Sequence, residues 1–188
     1  MEKINKANQT MGMIRCAFTF MDEDMFVYLF KAFVHSLLEY ANAVWNPHKA
    51  KDINAVERLQ RRVTKLIPNL KDLTYTERLQ TLKLPTLIYR RTRGDMIETY
   101  KILKIYNENV TPVIKLNAAT TRGNRLKMLW FRPNKDIRKF AFTNRIVNIW
   151  NKLPDDVVNA RNLITFENRH DKFWANSDFK CNFKAPLP

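Results

Sequence analysis

The apolar residues of the first hundred positions recur at steps of three and four, the spacing that keeps one face of a helix apolar. This pattern predicts a helix over residues 2–18 and a second helix over residues 25–45. Residues 22–24 are all acidic and precede the second helix, where carboxylates cap free amides, so we interpret them as structural and not as metal ligands. Pro47 marks the end of this helix, because proline cannot continue it.

The second predicted helix is the most apolar part of the chain, and its length would suit a membrane span. Lys31, His35 and Glu39, however, recur within it every four residues and therefore share one helical face. We predict that these three residues form the solvent-exposed stripe of an otherwise buried helix and that the chain does not cross a membrane. The polar N-terminal residues argue against a secretory signal peptide.

The next helices are separated by proline. One is predicted to begin after Asp52 and to end at Pro68, and a shorter one opens with the capping box of Thr74 and Glu77. A long helix is predicted over residues 86–106.

The pattern changes after residue 106. Residues 107–125 show little periodicity and predict a linker or crossing segment. Beyond it we expect a short strand over residues 126–131, an amphipathic helix over residues 162–174 and a frayed end. Residues 140–150 are ambiguous between strand and helix, and the spacing of their apolar residues slightly favours helix. The predicted fold is mainly α: a helical bundle over 1–106, the linker, and a small C-terminal subdomain over 126–188 with helical and irregular structure and room for one short β hairpin.

Composition narrows the classes of protein. Three glycines in 188 residues argue against Rossmann, P-loop and all-β folds, which need glycine in phosphate loops or tight turns. Cys16 and Cys181 are too few for a disulfide framework and too far apart for a metal-binding pair, which favours a reduced, intracellular setting. The net charge of +15 indicates a polyanionic partner, such as nucleic acid or an anionic membrane surface, rather than a small acidic metabolite. Residues 1–47 contribute −1 to it, whereas residues 48–105 and residues 106–188 contribute +8 each.

The clearest basic cluster lies on the helix after Asp52. Four cations fall on one predicted face, and apolar residues, among them Val56, Leu59 and Val63, fall on the other. The cations are Arg58, Arg61, Arg62 and Lys65. They could follow a line of phosphates, although a solvated face paired with Glu57 is the plainer alternative.

Two further clusters strengthen the nucleic-acid hypothesis. Arg90, Arg91 and Arg93 lie on the long helix, and arginine can bind phosphate with two parallel hydrogen bonds. The third cluster surrounds Trp130 and Phe131, which could stack unpaired bases but are more often core residues. Its cations are Arg122, Arg125, Lys127 and Arg132.

Enzymatic patterns are mostly lacking. The three histidines have no partner at zinc-ligand spacing, and no serine lies in a nucleophile motif. Asp155 and Asp156 follow Leu153 and Pro154, and we interpret them as a helix N-cap rather than as metal ligands.

Several motifs resemble the region after the palm in reverse transcriptases of jockey-like non-LTR retrotransposons. They occur in order along nearly the whole chain: LEYA at 38–41, VWNPH at 44–48, ERLQRRVTKLI at 57–67, LPTL at 84–87, YRR at 89–91, RGDMIE at 93–98, TRG at 121–123, NRIVNIWN at 144–151, LP at 153–154 and residues 166–174. The resemblance implies the thumb and post-thumb of an RNA-directed DNA polymerase, which grip template and primer.

The same resemblance implies what the chain lacks. The family's catalytic Asp-Asp hairpin, its fingers and palm, and its endonuclease would precede Met1, so we expect a remnant or truncated gene product that is inactive alone. No catalytic residue is carried over, and Mg²⁺ would belong to the palm. The expected partner is RNA or an RNA–DNA template-primer, with the nucleus as one candidate location. The alternative is a helical interaction module that docks on a polymerase core or another protein.

Overall fold

The computed structural model describes residues 2–18, 20–106, 114–117 and 124–186. The chain is mainly helical, as predicted. The helices in the described ranges are α1 (Glu2–Ala17), α2 (Glu23–Leu29), α3 (Ser36–Glu39), α4 (Ala50–Thr64), α5 (Tyr75–Thr81), α6 (Leu87–Lys104), α7 (Asp136–Lys139), α8 (Phe142–Arg145), α9 (Val147–Asn151), α10 (Asp155–Val158) and α11 (Leu163–Phe173). None of these helices is both long enough and apolar enough to cross a bilayer.

The chain forms two compact units. Unit 1 comprises Met1–Arg91 and Phe179–Lys184, and unit 2 comprises Thr92–Asp178 and Ala185–Pro188. The boundary therefore falls within α6 and not after residue 106, where the sequence pattern changes. A continuous helix keeps its periodicity across such a boundary, so the pattern carries no signal of it. Most of the predicted linker, residues 107–125, lies outside the described residues.

Helix caps in unit 1 follow the sequence signals. The Asp22 carboxylate accepts a hydrogen bond of 2.7 Å from the Met25 amide and caps α2. Thr74 and Glu77 form the predicted capping box at the start of α5. The core of this unit is lined by the apolar faces of its helices, including Ala7, Met11, Phe26, Phe30, Val34, Leu38, Val56, Leu59, Val63, Leu79 and Leu87.

A π-helical turn, Phe30–His35, joins α2 to α3 and changes which side chains face inward. Its hydrogen bonds run over five residues, so the chain turns less per residue than in an α-helix and the faces shift. His35 is only 1% exposed, with its ring 4.6 Å from that of Phe30, whereas Lys31 is exposed. The prediction that His35 belongs to a solvent-exposed stripe is therefore wrong. The helix also ends at Glu39 instead of near Pro47, because Ala41 adopts a left-handed φ of 55°.

The C-terminal residues of unit 1 are packed, and the expected fraying is wrong for them. Phe179 is buried, and its ring lies 5.9 Å from that of Tyr89. The Thr86 amide donates to the Lys180 carbonyl at 2.9 Å, and the Thr86 hydroxyl donates to the Phe179 carbonyl at 3.2 Å. These bonds cap the start of α6 with a distant segment.

Aromatic rings form much of the core of unit 2. The Phe166 ring lies 4.5 Å from that of Tyr100 and 5.9 Å from that of Trp150. The Tyr100 hydroxyl donates to the Ala160 carbonyl at 2.8 Å, so its polar end is satisfied inside the core. This ring stack fixes α11 against α6 and α9.

Two predictions about unit 2 need correction. The strand over residues 126–131 does not form, and the described residues contain only an isolated antiparallel bridge between Leu116 and Met128. The Asn151 side chain occupies both backbone groups of Met128, where a neighbouring strand would pair. Asp155 is not the N-cap of α10, because Pro154 holds that position and the Asp155 carboxylate accepts from the Arg125 amide at 2.9 Å.

Candidate nucleic-acid interface

The basic face of α4 is built as its periodicity predicts. Arg58, Arg61 and Arg62 are exposed, as is Lys65 at the C-cap, and we call these four side chains the α4 basic face. Val56, Leu59 and Val63 are buried on the opposite side. Because one side of the helix is packed, its four cations are held about one turn apart on the solvent side.

Glu57 does not share this face, so the alternative of a solvated face paired with Glu57 is wrong. Its carboxylate is buried and accepts hydrogen bonds from the Tyr75 hydroxyl at 2.6 Å and from the Ile88 amide at 3.1 Å. Burial raises the pKa of Glu57, and these hydrogen bonds oppose the rise. Glu57 thus caps the first turn of α6, and its charge does not neutralise the α4 basic face.

Neighbouring side chains position two cations of the α4 basic face. The Arg61 guanidinium lies 5.2 Å from the ring centroids of both Tyr75 and Phe183, within the range of cation–π attraction. Arg62 donates to the Asn8 side chain of α1. Arg58 and Arg62 line a cleft of about 170 Å³ together with Asn8, so an anion there would meet two guanidinium groups.

A buried arginine that the sequence analysis did not single out supports the end of α4. Arg78 donates to the Thr64 hydroxyl at 3.1 Å, to the Leu73 carbonyl at 2.5 Å and to the Arg61 carbonyl at 3.4 Å. A cation at the C-terminal end of α4 also interacts favourably with the negative end of the helix dipole. Its position in α5 gave no indication of this role, since the segments it joins are distant in sequence.

The second predicted cluster is engaged within the fold. Arg90 donates to both oxygens of Glu39, with 2.9 Å for the longer bond. Arg93 donates to the two oxygens of Asp171 at 2.6 and 2.8 Å and to Glu167 at 3.2 Å. Arg91 is buried, with its guanidinium 5.0 Å from the Trp45 ring centroid. The three arginines therefore do not form one exposed line of cations.

The pairing with Arg93 stabilises the ionised form of Asp171. Burial would raise the pKa of Asp171, but the adjacent His170 side chain and the hydrogen bonds and charge of Arg93 lower it well below its usual range. Asp171 is consequently ionised throughout the neutral range, and Arg93 stays paired with it.

The third cluster is split between described and undescribed residues. Arg122 lies outside the described residues. Arg125 is 81% exposed although its guanidinium lies 3.7 Å from the Asp155 carboxylate, and Arg132 is exposed while Lys127 is half-buried. Trp130 and Phe131 are 56% and 50% exposed, so the expectation that they are core residues is wrong.

Neither metal chemistry nor similarity to known proteins adds to this geometry. Within the described ranges, no three His, Cys, Asp or Glu side chains are grouped so that they could hold a metal ion. Comparison with models of protein families, with curated proteins and with solved structures found no match.

Proposed function

We propose that this protein binds nucleic acid through phosphate contacts made by the α4 basic face, without catalysing a reaction itself. One observation carries the proposal: four exposed cations share one side of a helix whose other side is packed. In the described part of the chain none of the four forms an ion pair with a carboxylate. Their charge is therefore available to an external anion.

The proposed ligand is an RNA–DNA template-primer, which the chain would grip as the thumb and post-thumb region of a retrotransposon RNA-directed DNA polymerase. The resemblance of its motifs to that family supports this finer assignment. Cations spaced one helical turn apart suit a phosphate backbone, whose charges are regularly spaced and independent of sequence. Such contacts position a nucleic acid without reading its bases.

Charge replacement tests the proposal. The α4 variant replaces Arg58, Arg61, Arg62 and Lys65 with Gln, and its binding to an RNA template annealed to a DNA primer is measured at several salt concentrations. Each lost phosphate contact reduces the slope of log affinity against log salt by about 0.7 to 0.9, so four contacts predict a reduction of about 3.

A matched control separates this face from charge in general. It replaces four exposed lysines of unit 1 that lie outside α4, again with Gln: Lys6, Lys31, Lys71 and Lys83. Both variants lose the same net charge, but only the α4 variant should show the reduction of about 3 in the slope of log affinity against log salt. Equal reductions in the two variants would show that α4 is not the contact surface.

Catalysis is tested separately by primer extension with the same template-primer. We expect no product, because the residues that resemble the family include none of its catalytic carboxylates. Nucleotide incorporation above a protein-free control would contradict the proposal of binding without chemistry.

A second candidate function, docking on another protein, is favoured by exposed apolar residues around α2 and α3. Phe20, Tyr28, Tyr40 and Val44 are all more than 70% exposed, and Phe33 is 52% exposed. Exposed large apolar side chains of this kind are typical of interaction surfaces. Sedimentation tests this candidate: a monomer that binds RNA tightly would count against it, whereas self-association that is lost in Tyr28→Ser/Val44→Ser would support it.

A further inference from the structure

Residues 124–128 of unit 2 are fixed by side-chain hydrogen bonds. The Asn124 amide donates to the carbonyls of Trp150 and Leu153 at 3.0 and 3.1 Å. The Asn151 amide group accepts from the Met128 N–H at 2.8 Å and donates to the Met128 carbonyl at 3.0 Å. Met128 is therefore anchored, and the residues after it begin from a fixed position in unit 2.

Directly after this fixed point, three consecutive large apolar side chains are exposed. Leu129, Trp130 and Phe131 are 40%, 56% and 50% exposed. A segment that packs one side on the core would bury at least one of three consecutive residues. These three are all solvent-accessible, so hydrophobic burial within the described part of unit 2 does not account for them.

Cations lie near the exposed rings in space or along the chain. The Lys115 ammonium lies 5.5 Å from the centroid of the Phe131 ring, and Arg132 follows Phe131 directly. Arg125 is 81% exposed although its guanidinium lies 3.7 Å from the Asp155 carboxylate. Residues 124–139 contain six Lys or Arg and one Asp. Flat rings among cations match single-stranded nucleic acid, whose bases stack on aromatic faces while its phosphates meet positive charge.

A lipid surface fits this segment less well. Membrane-surface binding usually relies on an amphipathic helix with a continuous apolar face. Residues 124–132 contain no helix.

We propose that Trp130 and Phe131 form a stacking platform for unpaired bases of single-stranded nucleic acid, with Lys115, Arg125 and Arg132 contacting the adjacent phosphates. This site goes beyond the proposed function of the α4 basic face, because it binds bases rather than the phosphate backbone alone. It needs no contribution from α4.

Ring removal tests the platform on the full chain. The probes are a 12-nucleotide oligouridine and a 12-base-pair RNA duplex. Trp130→Ala should weaken oligouridine binding about tenfold with an unchanged salt slope, since stacking on one ring is an uncharged interaction of that size. Duplex binding should change less than twofold, and Trp130→Phe should retain most of the oligouridine affinity.

Phe173→Ala is the matched control, because Phe173 is an aromatic residue of unit 2 that is also 50% exposed. It should leave oligouridine binding unchanged. Tryptophan emission adds a second readout. Oligouridine should quench the native protein more than Trp130→Phe, because Trp150 and Trp174 are buried and the half-buried Trp45 contributes equally in both proteins.

Other results would overturn the platform. They are an equal loss in the Phe173→Ala control, an equal loss for duplex and oligouridine, or unchanged oligouridine binding in Trp130→Ala. If Trp130→Ala weakens binding only to vesicles that contain phosphatidylserine, the segment is a membrane contact. The α4 variant makes the two proposals separable: unchanged template-primer binding there would refute the proposed function and leave the platform standing.

Discussion

The arginines of α4 and α6 have the same appearance in the sequence and different positions in the fold. On α4, Arg58, Arg61 and Arg62 are exposed without a carboxylate partner in the described residues. On α6, Arg90 and Arg93 pair with carboxylates, and Arg91 is buried. Only the first set is available to an external phosphate.

The difference shows that a cluster of cations identifies a binding surface only after its carboxylates have been placed. Arg90 and Arg93 use three acidic residues, Glu39, Glu167 and Asp171. The one acidic residue within the basic stretch of α4, Glu57, is turned inward to cap α6. Burying that carboxylate preserves the positive charge of the α4 basic face.

The largest expected effect is a loss of stability when Asp95 of α6 is replaced. The Asp95 carboxylate is nearly buried and accepts two hydrogen bonds of 2.8 Å from Arg145. Asp95→Ala should lower the free energy of unfolding by about 3–5 kcal/mol, because it removes the carboxylate of a largely buried ion pair. Urea denaturation measures this loss. Asp136→Ala, at an exposed acidic position of unit 2, should change it by less than about 0.5 kcal/mol.

The next effect concerns His35, which is buried in unit 1. Burial lowers the pKa of His35 to about 3, and the charges of Arg90 and Lys31 add to this. A histidine that is neutral in the fold takes up a proton near pH 6.5 once unfolded, so stability falls as the pH drops from 6.5 towards 3. The loss between pH 7 and 4.5 should reach about 2–3 kcal/mol.

His35→Leu should remove this loss when unfolding free energies are compared at the two pH values. Glu57 has a raised pKa and contributes in the opposite direction, but it does so equally in both proteins. Asp171, whose pKa is lowered, loses its contribution only below about pH 4 and so falls outside the range. The exposed His48 provides the control His48→Gln, and a native-like pH profile in His35→Leu would refute the assignment.

The smallest effects compare matched substitutions on the two helices. Arg93→Gln should lower the free energy of unfolding by about 1–2 kcal/mol, since its partly exposed carboxylate partners are screened by solvent. Arg58→Gln should change it by less than about 0.5 kcal/mol. In template-primer binding the order should reverse, with a reduction in salt slope of about 1 for Arg58→Gln and none for Arg93→Gln. Equal behaviour of the two variants would remove the distinction between the helices.

Regular local patterns were enough to predict α1, α4 and α6 and the caps at Asp22 and Thr74. These features depend on residues within one or two turns of each other, which a sequence displays directly. The π-helical turn interrupts the same periodicity without a proline or glycine to signal it, which is why His35 was placed on the wrong face.

Partners at long range could not be predicted. Arg90 meets Glu39 across 51 positions, and Arg93 meets Asp171 across 78. The exposure of Trp130 was missed for a related reason, because aromatic residues are usually buried and only the tertiary fold shows that this one is not. The α4 basic face was predictable because both of its sides are encoded in one short stretch.

The packing of residues 179–184 on unit 1 makes that unit discontinuous, and it sets an order of folding during synthesis. Thr86 bonds to a residue 93 positions later, so unit 1 cannot be completed until residue 184 has left the ribosome. Almost all of unit 2 has been synthesised by then and is free to fold first. A nascent chain halted before residue 179 would hold the α4 basic face on an unfinished core, with the Thr86 amide at the start of α6 lacking its acceptor.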